Sequence, residues 1–262
     1  MFNFSINTFS KEKFLNSSLS RVLFQEEERV GCGKIALIDM DGTVLAGRSL
    51  EAIGRLGFQK EVEEIKEKRL KGTLKGYEES LKVASLLKGI PLSRLIEEFD
   101  RIRFVNGAKE FIGWLKELGF VTVLVTVSYD VLAERVAKAL GMDEFYANKL
   151  EVVNGIITGR IVMPLGWQYV RNCMFKSVCK LNVLFETMRK YNVPIGKTVA
   201  IGDSVLDRCI VRYAGLGIAF NPKDNEVVEA ADIVVYGDFY KLKSTLEKHE
   251  LFKNIISCDM RG

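Results

Sequence analysis

Short runs of consecutive apolar residues recur along the chain at 35–38, 120–125, 198–201, 217–220 and 233–236. They do not alternate with polar positions, and β-branched and aliphatic side chains dominate them. Runs of that kind fit strands covered on both faces, as in a parallel sheet. Helical spacing fills most of the gaps. The stretches 108–118 (AKEFIGWLKEL) and 131–140 (VLAERVAKAL) are each followed by a glycine, Gly119 and Gly141, a helix stop signal. The stretches 180–191 and 226–230 continue the alternation. Strand–helix alternation predicts an α/β fold with a doubly wound, parallel, Rossmann-like sheet.

The interval from Gly47 to Val105 breaks this pattern. It holds no strand-like run, and SLEAIGRLG, QKEVEEIKEKRLKG, GYEESLKVASLLKG and PLSRLIEEFDRI all carry helical spacing, punctuated by Gly57, Gly72, Gly89 and Pro91. The expected organisation is therefore a small helical cap domain, residues 47–105, inserted after the first strand of a core made from 31–46 and 106–245. Residues 1–30 are expected to add one or two amphipathic helices, and 246–262 a C-terminal tail. Asn154-Gly155 between β-branched pairs predicts a hairpin. In the stretch 165–177, Trp167, Tyr169 and Arg171 either pack inside or form a lip over a ligand.

Composition then narrows the chemistry. The 262 residues carry 38 Lys plus Arg against 34 Asp plus Glu, a net charge of +4. So small a surplus gives no case for a nucleic-acid partner. There is 1 histidine, His249, which rules out two-histidine zinc sites and facial-triad iron. It lies in a charged run and reads as a solvated helix residue. The 5 cysteines include no C-x-x-C pair, against a disulfide framework or a cysteine zinc site and in keeping with a reducing compartment. No stretch is long and apolar enough to span a bilayer, and the first residues, MFNFSINTFS, lack the features of a signal peptide. A cytoplasmic protein with no membrane partner is expected. Val30–Ile35 superficially resembles a phosphate-binding P-loop, but it precedes the first strand and no Ser or Thr follows Lys34.

What remains are carboxylates, lysines and hydroxyls at strand ends. The first strand runs into Asp39, and Asp41-Gly42-Thr43 follows. Ligands of open α/β sheets bind beyond the C-terminal ends of the strands. Two neighbouring carboxylates there call for a hard divalent cation. Taken alone, Asp-Gly could equally be a turn after a strand. Two further strand ends bear on that choice: the run at 120–125 ends in Thr126, and the run at 198–201 ends in Gly202-Asp203, with Asp207 one helical turn on.

With these residues in view, the chain resembles the haloacid dehalogenase (HAD) superfamily of aspartate-nucleophile phosphatases. Asp39-Met-Asp41-Gly-Thr matches its D-x-D-G-T signature, Thr126 its second-motif hydroxyl, and Gly202-Asp203…Asp207 its acidic G-D-x-x-x-D motif. The family lysine falls on Lys180 by family spacing alone, since Lys176 and Lys190 are alternatives. The closest resemblance is to the phosphoserine phosphatase branch, over residues 34–245.

The resemblance implies a Mg²⁺-dependent phosphomonoesterase acting on a small phosphorylated substrate. Asp39 would form an aspartyl-phosphate, and Asp41 would serve as acid and then base. Asp39, the Asp41 carbonyl and Asp203 would bind Mg²⁺, with Asp207 supporting. Thr126, the adjoining Val127 and Lys180 would hold the phosphate. Phosphotransfer to an alcohol would use the same intermediate, and a non-catalytic binding protein on this scaffold is a third reading. The chain also departs from the branch. Arg48 stands where phosphoserine phosphatases carry a glutamate, and Lys82-Val83-Ala84 where they carry an arginine; those residues recognise the serine moiety. Val127 and Leu206 replace a glycine and an asparagine. Arg48 is thus a candidate specificity residue for a negatively charged leaving group, or else an exposed surface arginine.

Overall fold

The computed structural model describes residues 33–164 and 179–257. The expected helices of residues 1–30, Trp167, Tyr169, Arg171 and Lys176 lie outside the described residues. The five apolar runs fall in five strands of one sheet, and the region of the expected hairpin supplies two more. In chain order these are β1 (Lys34–Asp39), β2 (Phe120–Tyr129), β3 (Glu144–Val153), β4 (Ile156–Val162), β5 (Thr198–Gly202), β6 (Leu216–Phe220) and β7 (Ile233–Val235). Their order is β4-β3-β2-β1-β5-β6-β7. Every neighbouring pair is parallel except β3–β4, the hairpin turning at Asn154-Gly155. The order runs outward from β1 in both directions, which opens a crevice at the C-terminal ends of β1 and β5.

Helices follow the strands as the pattern predicts. After β1 come α1 (Ser49–Ile53), a π-helical turn, α2 (Gln59–Leu70), α3 (Gly76–Leu86) and α4 (Leu92–Phe99). Then come α5 (Ala108–Glu117), α6 (Asp130–Leu140), α7 (Lys180–Tyr191), α8 (Arg208–Tyr213), α9 (Asn225–Val228), α10 (Phe239–Leu246) and α11 (Glu250–Ile256). The helical insert is tied to the hairpin: Gly89 N–H donates to Ile157 O (2.8 Å) and Ile157 N–H to Ile90 O (2.9 Å). No helix among the described residues is long and apolar enough to cross a membrane.

Period-two geometry divides the buried side chains of β1 between two cores. Ile35 and Leu37 pack in one cluster with Val183 and Leu184 of α7 and Ile210 of α8. Ala36 and Ile38 belong to the other, with Phe111 of α5, Leu132 of α6 and Phe239 of α10. Asp39 shares the parity of Ile35 and Leu37, the side on which α7 begins at Lys180.

Two expectations differ from what is observed. The chain beyond Leu246, expected as a tail, forms α11, whose Phe252 is fully buried. Its ring stacks on Trp114 (5.4 Å) and Phe120 (5.9 Å). The apolar spacing Leu251, Phe252, Ile255 carried that signal and was outweighed by the surrounding charges. His249 is not a solvated helix residue: it is the half-buried N-cap of α11, and its Nδ1 is closed off from solvent.

Candidate active site

β1 delivers Asp39, its last residue, to the crevice. Lys180, the first residue of α7, donates to Asp39 Oδ1 and to Asp207 Oδ1 (2.6 Å). All three side chains are almost fully buried. Removing the shared cation would leave two buried carboxylates uncompensated, which is costly. Burial and the nearby Asp207 push the Asp39 carboxyl well above the usual carboxylate range, with Lys180 pulling the other way. Burial alone would lower the pKa of Lys180, but Asp207 and Asp39 outweigh it and raise it.

Asp203 follows β5 directly. Its Oδ2 accepts from Arg48 Nη2 (3.1 Å) and pairs with Lys223 Nζ (2.9 Å). Its Oδ1 is buried and has no hydrogen-bond partner. Burial and Asp207 push the Asp203 carboxyl up, while Arg48 and Lys223 hold it down. Asp207 ends a short 3₁₀ turn and is fixed from its other oxygen by Ser204 N–H (3.2 Å) and Ser204 Oγ (3.1 Å). Two glycines make room. Gly42 has φ +88°, and a Cβ there would lie 2.3 Å from Asp203 Oδ2. A Cβ on Gly202 would lie 2.3 Å from Asp207 Cβ.

Asp41 has a different environment. Ser49 N–H donates to its Oδ1 (2.7 Å) and Ser49 Oγ to its Oδ2 (2.7 Å). Ser49 opens α1, so its N–H has no intrahelical partner and is free for a carboxylate. Ser128 Oγ donates to Ser49 Oγ (2.9 Å), and Ser128 N–H to Thr126 Oγ1 (3.1 Å). Burial raises the Asp41 carboxyl above its ordinary pKa, against the hydrogen bonds from Ser49 and the charges of Arg48 and Lys180. β2 runs on past Val125 to Tyr129, with its register against β3 breaking between those residues. Thr126 and Val127 lie in that irregular stretch, and Asn148 Nδ2 donates to Val127 O (2.7 Å).

One pocket of about 350 Å³ is lined by Asp39, Asp41, Arg48, Thr126, Val127, Lys180 and Lys223, and also by Leu206 and side chains of α2 and α3. The predicted residues thus converge, Arg48 among them as a pocket residue and not a surface one. Carboxylate oxygens of Asp39, Asp203 and Asp207 lie within 4.8 Å of one another. The Asp41 carboxylate is occupied by Ser49 and is not part of that group. An all-oxygen donor set with one unpartnered buried oxygen fits a hard divalent cation such as Mg²⁺.

The model of the haloacid dehalogenase-like hydrolases matches residues 36–212, a span that takes in every one of these site residues except Lys223. The chain belongs to this family. Among the relatives of this HAD chain is the phosphoserine phosphatase of Archaeoglobus fulgidus, 32% identical over 193 residues, covering 73% of the chain and 53% of the relative. The chain thus spans about half the length of that protein. The phosphoserine phosphatase of Methanocaldococcus jannaschii is 32% identical over 204 residues, 77% of the chain and 92% of the relative. A solved phospho-aspartyl intermediate analogue of phosphoserine phosphatase superposes with a TM-score of 0.68 at 28% identity, over 82% of this chain and 98% of that one. This HAD chain is similar to phosphoserine phosphatases in sequence and in fold.

Some pocket residues went unread in the sequence. Ser49 carries a signal, because Ser-Leu-Glu before an apolar position marks a helix start. Lys223 follows β6, so the rule that ligands gather beyond strand C-termini points to it. Lys66, Arg69 and Glu79 had no local signal, since charged residues on helices are ordinarily solvated.

Proposed function

We propose that the protein is a Mg²⁺-dependent phosphomonoester hydrolase that acts on a small phosphorylated metabolite through an aspartyl-phosphate. The observation that carries this reading is the pairing, in one pocket, of buried Asp39 held by Lys180 with a separate carboxylate, Asp41, held by Ser49. One suits a nucleophile and the other a proton carrier. The solved phospho-aspartyl analogue of a related phosphatase supports it further.

In this reading a carboxylate oxygen of Asp39 attacks phosphorus as the bond to the leaving alcohol breaks. Asp41, held by Ser49 and not by Lys180, gives a proton to the leaving oxygen. Asp41 then takes a proton from water, whose oxygen attacks the same phosphorus and restores Asp39. Lys180 and Thr126 offset charge on the phosphoryl oxygens. Asp39, Asp203 and the Asp41 carbonyl would hold Mg²⁺, with Asp207 supporting. The ion supplies positive charge against the phosphoryl group when bound. Residues 47–105 act as a cap that shields the pocket from water and selects the leaving group. Arg48 and the stretch Lys82-Val83-Ala84, where the related branch carries the residues that recognise serine, indicate a substrate other than phosphoserine. A cytoplasmic site of action belongs to this reading and rests on the cysteine usage.

Phosphate release from an aryl phosphate, measured with Mg²⁺ and with chelator, tests the reading. Release is expected to need both Mg²⁺ and Asp39. Undiminished release by Asp39→Asn would overturn the nucleophile assignment.

A further inference from the structure

The side of the pocket formed by the helical insert carries two cations, Lys66 and Arg69, that its own structure holds only loosely. Lys66 and Arg69 of α2 line it, with Glu79 of α3 as the facing acid. Glu79 is only 16% exposed, and its Oε2 lies 3.0 Å from Arg69 Nε. That nitrogen is closed off from solvent yet makes no hydrogen bond, so the pair is a charge contact without good geometry. Lys66 pairs with Glu63 at 3.5 Å, and Glu63 is 64% exposed. Such a contact holds a lysine weakly. Arg48, paired with Asp203, lines the same pocket, and its charge with those of Lys66 and Arg69 is felt at Glu79. Leu50, Ile53 and Val83 line the same pocket and offer apolar contact to a carbon chain.

We propose that Lys66 and Arg69 form a subsite for a second anionic group on the alcohol side of the phosphomonoester. The preferred substrates are then phosphate esters whose leaving group carries a carboxylate or a further phosphate. This rests on the phosphatase reading above. Glu79 orients Arg69 and competes with the incoming anion for it, which keeps the subsite from closing on a smaller ion.

Three esters that differ only at the far end test the proposal: propyl phosphate, its analogue ending in a carboxylate, and its analogue ending in a second phosphate. The readout is the ratio of kcat/KM for each anionic ester to that for propyl phosphate. Wild type is expected to favour at least one anionic ester by about tenfold or more, and which one it favours identifies the anion. Lys66→Met and Arg69→Met are each expected to cut that ratio about fivefold or more, mainly through KM. Glu79→Gln is expected to keep or raise it. Added salt is expected to lower it in wild type. Should Arg69→Met fail to fold, Lys66→Met and the salt series carry the test. A ratio near unity in wild type, with propyl phosphate still hydrolysed in a Mg²⁺-dependent way, overturns the subsite and leaves the phosphatase reading standing. A strong preference unchanged in both variants overturns the assignment to Lys66 and Arg69. Hydrolysis of none of the three, with Mg²⁺-dependent release from the aryl phosphate intact, overturns the subsite alone; no release from the aryl phosphate either overturns the phosphatase reading with it.

Discussion

At the floor of the pocket the Lys180 side chain is 2% exposed and bridges Asp39 and Asp207; on the helical wall Lys66 is 35% exposed and its ion pair stretches to 3.5 Å. The floor charges sit on strand ends and the first residue of a helix packed against the sheet. Their positions are set by the core beneath them, and the acids depend on the cation they share. The wall charges sit on helices of the insert, partly in water, where pairs contribute little and are screened. A floor of this kind can hold reacting groups in fixed geometry. A wall of this kind can change its selectivity without endangering the fold. Substitutions on the floor should therefore act on kcat and on folding, and substitutions on the wall on KM and on preference among esters.

The largest effect is expected from Asp39→Asn. Phosphate release should fall by more than about a thousandfold, because an amide is a poor nucleophile. In chelator the same variant should melt higher, by a few degrees (~1 kcal/mol), because one of three crowded carboxylates loses its charge. Thermal melting that instead drops in chelator would show that the Lys180–Asp39 attraction outweighs the repulsion from Asp203 and Asp207.

Lys180→Met comes next. It leaves Asp39 and Asp207 buried without their shared cation and should cost about 3–5 kcal/mol in urea unfolding, together with most of the activity. Near-wild-type unfolding would contradict the picture of a floor held by charge. Ser49→Ala removes one of the two donors to Asp41 and keeps the other. A loss of about tenfold in kcat, with KM little changed, is expected from one missing charge-assisted hydrogen bond. Elsewhere in the insert, outside the pocket, Arg55→Met breaks the partly exposed pair between Arg55 Nε and Glu98 (3.0 Å) and should shift stability by about 1 kcal/mol or less.

The smallest effect concerns pH and an acid outside both regions. Burial alone would raise the pKa of Asp143, but Lys116 Nζ (2.7 Å) and the Thr122 N–H (2.9 Å) bring it below the ordinary carboxylate value. Its unfolded form therefore binds protons first as pH falls. The stability it adds is complete above the ordinary value near about 4 and fades as pH drops through the lower folded value. Asp143→Asn should flatten that part of the melting-temperature curve on the acid side. A curve unchanged in that variant would assign the acid sensitivity to other groups.

Much of the floor was legible in the chain. An apolar run that stops at Asp39 marks a strand end, and a parallel sheet puts strand ends where ligands bind. The same logic finds Asp203 after β5 and Thr126 within β2. Lys180 is a harder case: local sequence did not separate it from Lys190, and only family spacing did. In the fold Lys190 is 53% exposed and pairs with Glu144, whereas Lys180 is buried against Asp39. The helices of residues 49–99 were legible from their spacing, yet nothing in that spacing says which of their charges face a pocket.

The sequence by itself determined five of the strands, most of the helices, the turn at Asn154-Gly155 and the acids at the strand ends, because their signals lie in near neighbours along the chain; α11 and the parallel pairing of β3 were not among them. The tertiary structure alone decided that Arg48 meets Asp203 across 155 residues of chain and that Ser49 meets Ser128 across 79. It also decided that Lys66, Arg69 and Glu79 share a pocket with Asp39. Such meetings depend on how the insert and the sheet pack, and packing is settled by apolar burial spread over the whole core, to which no single polar residue holds a local clue.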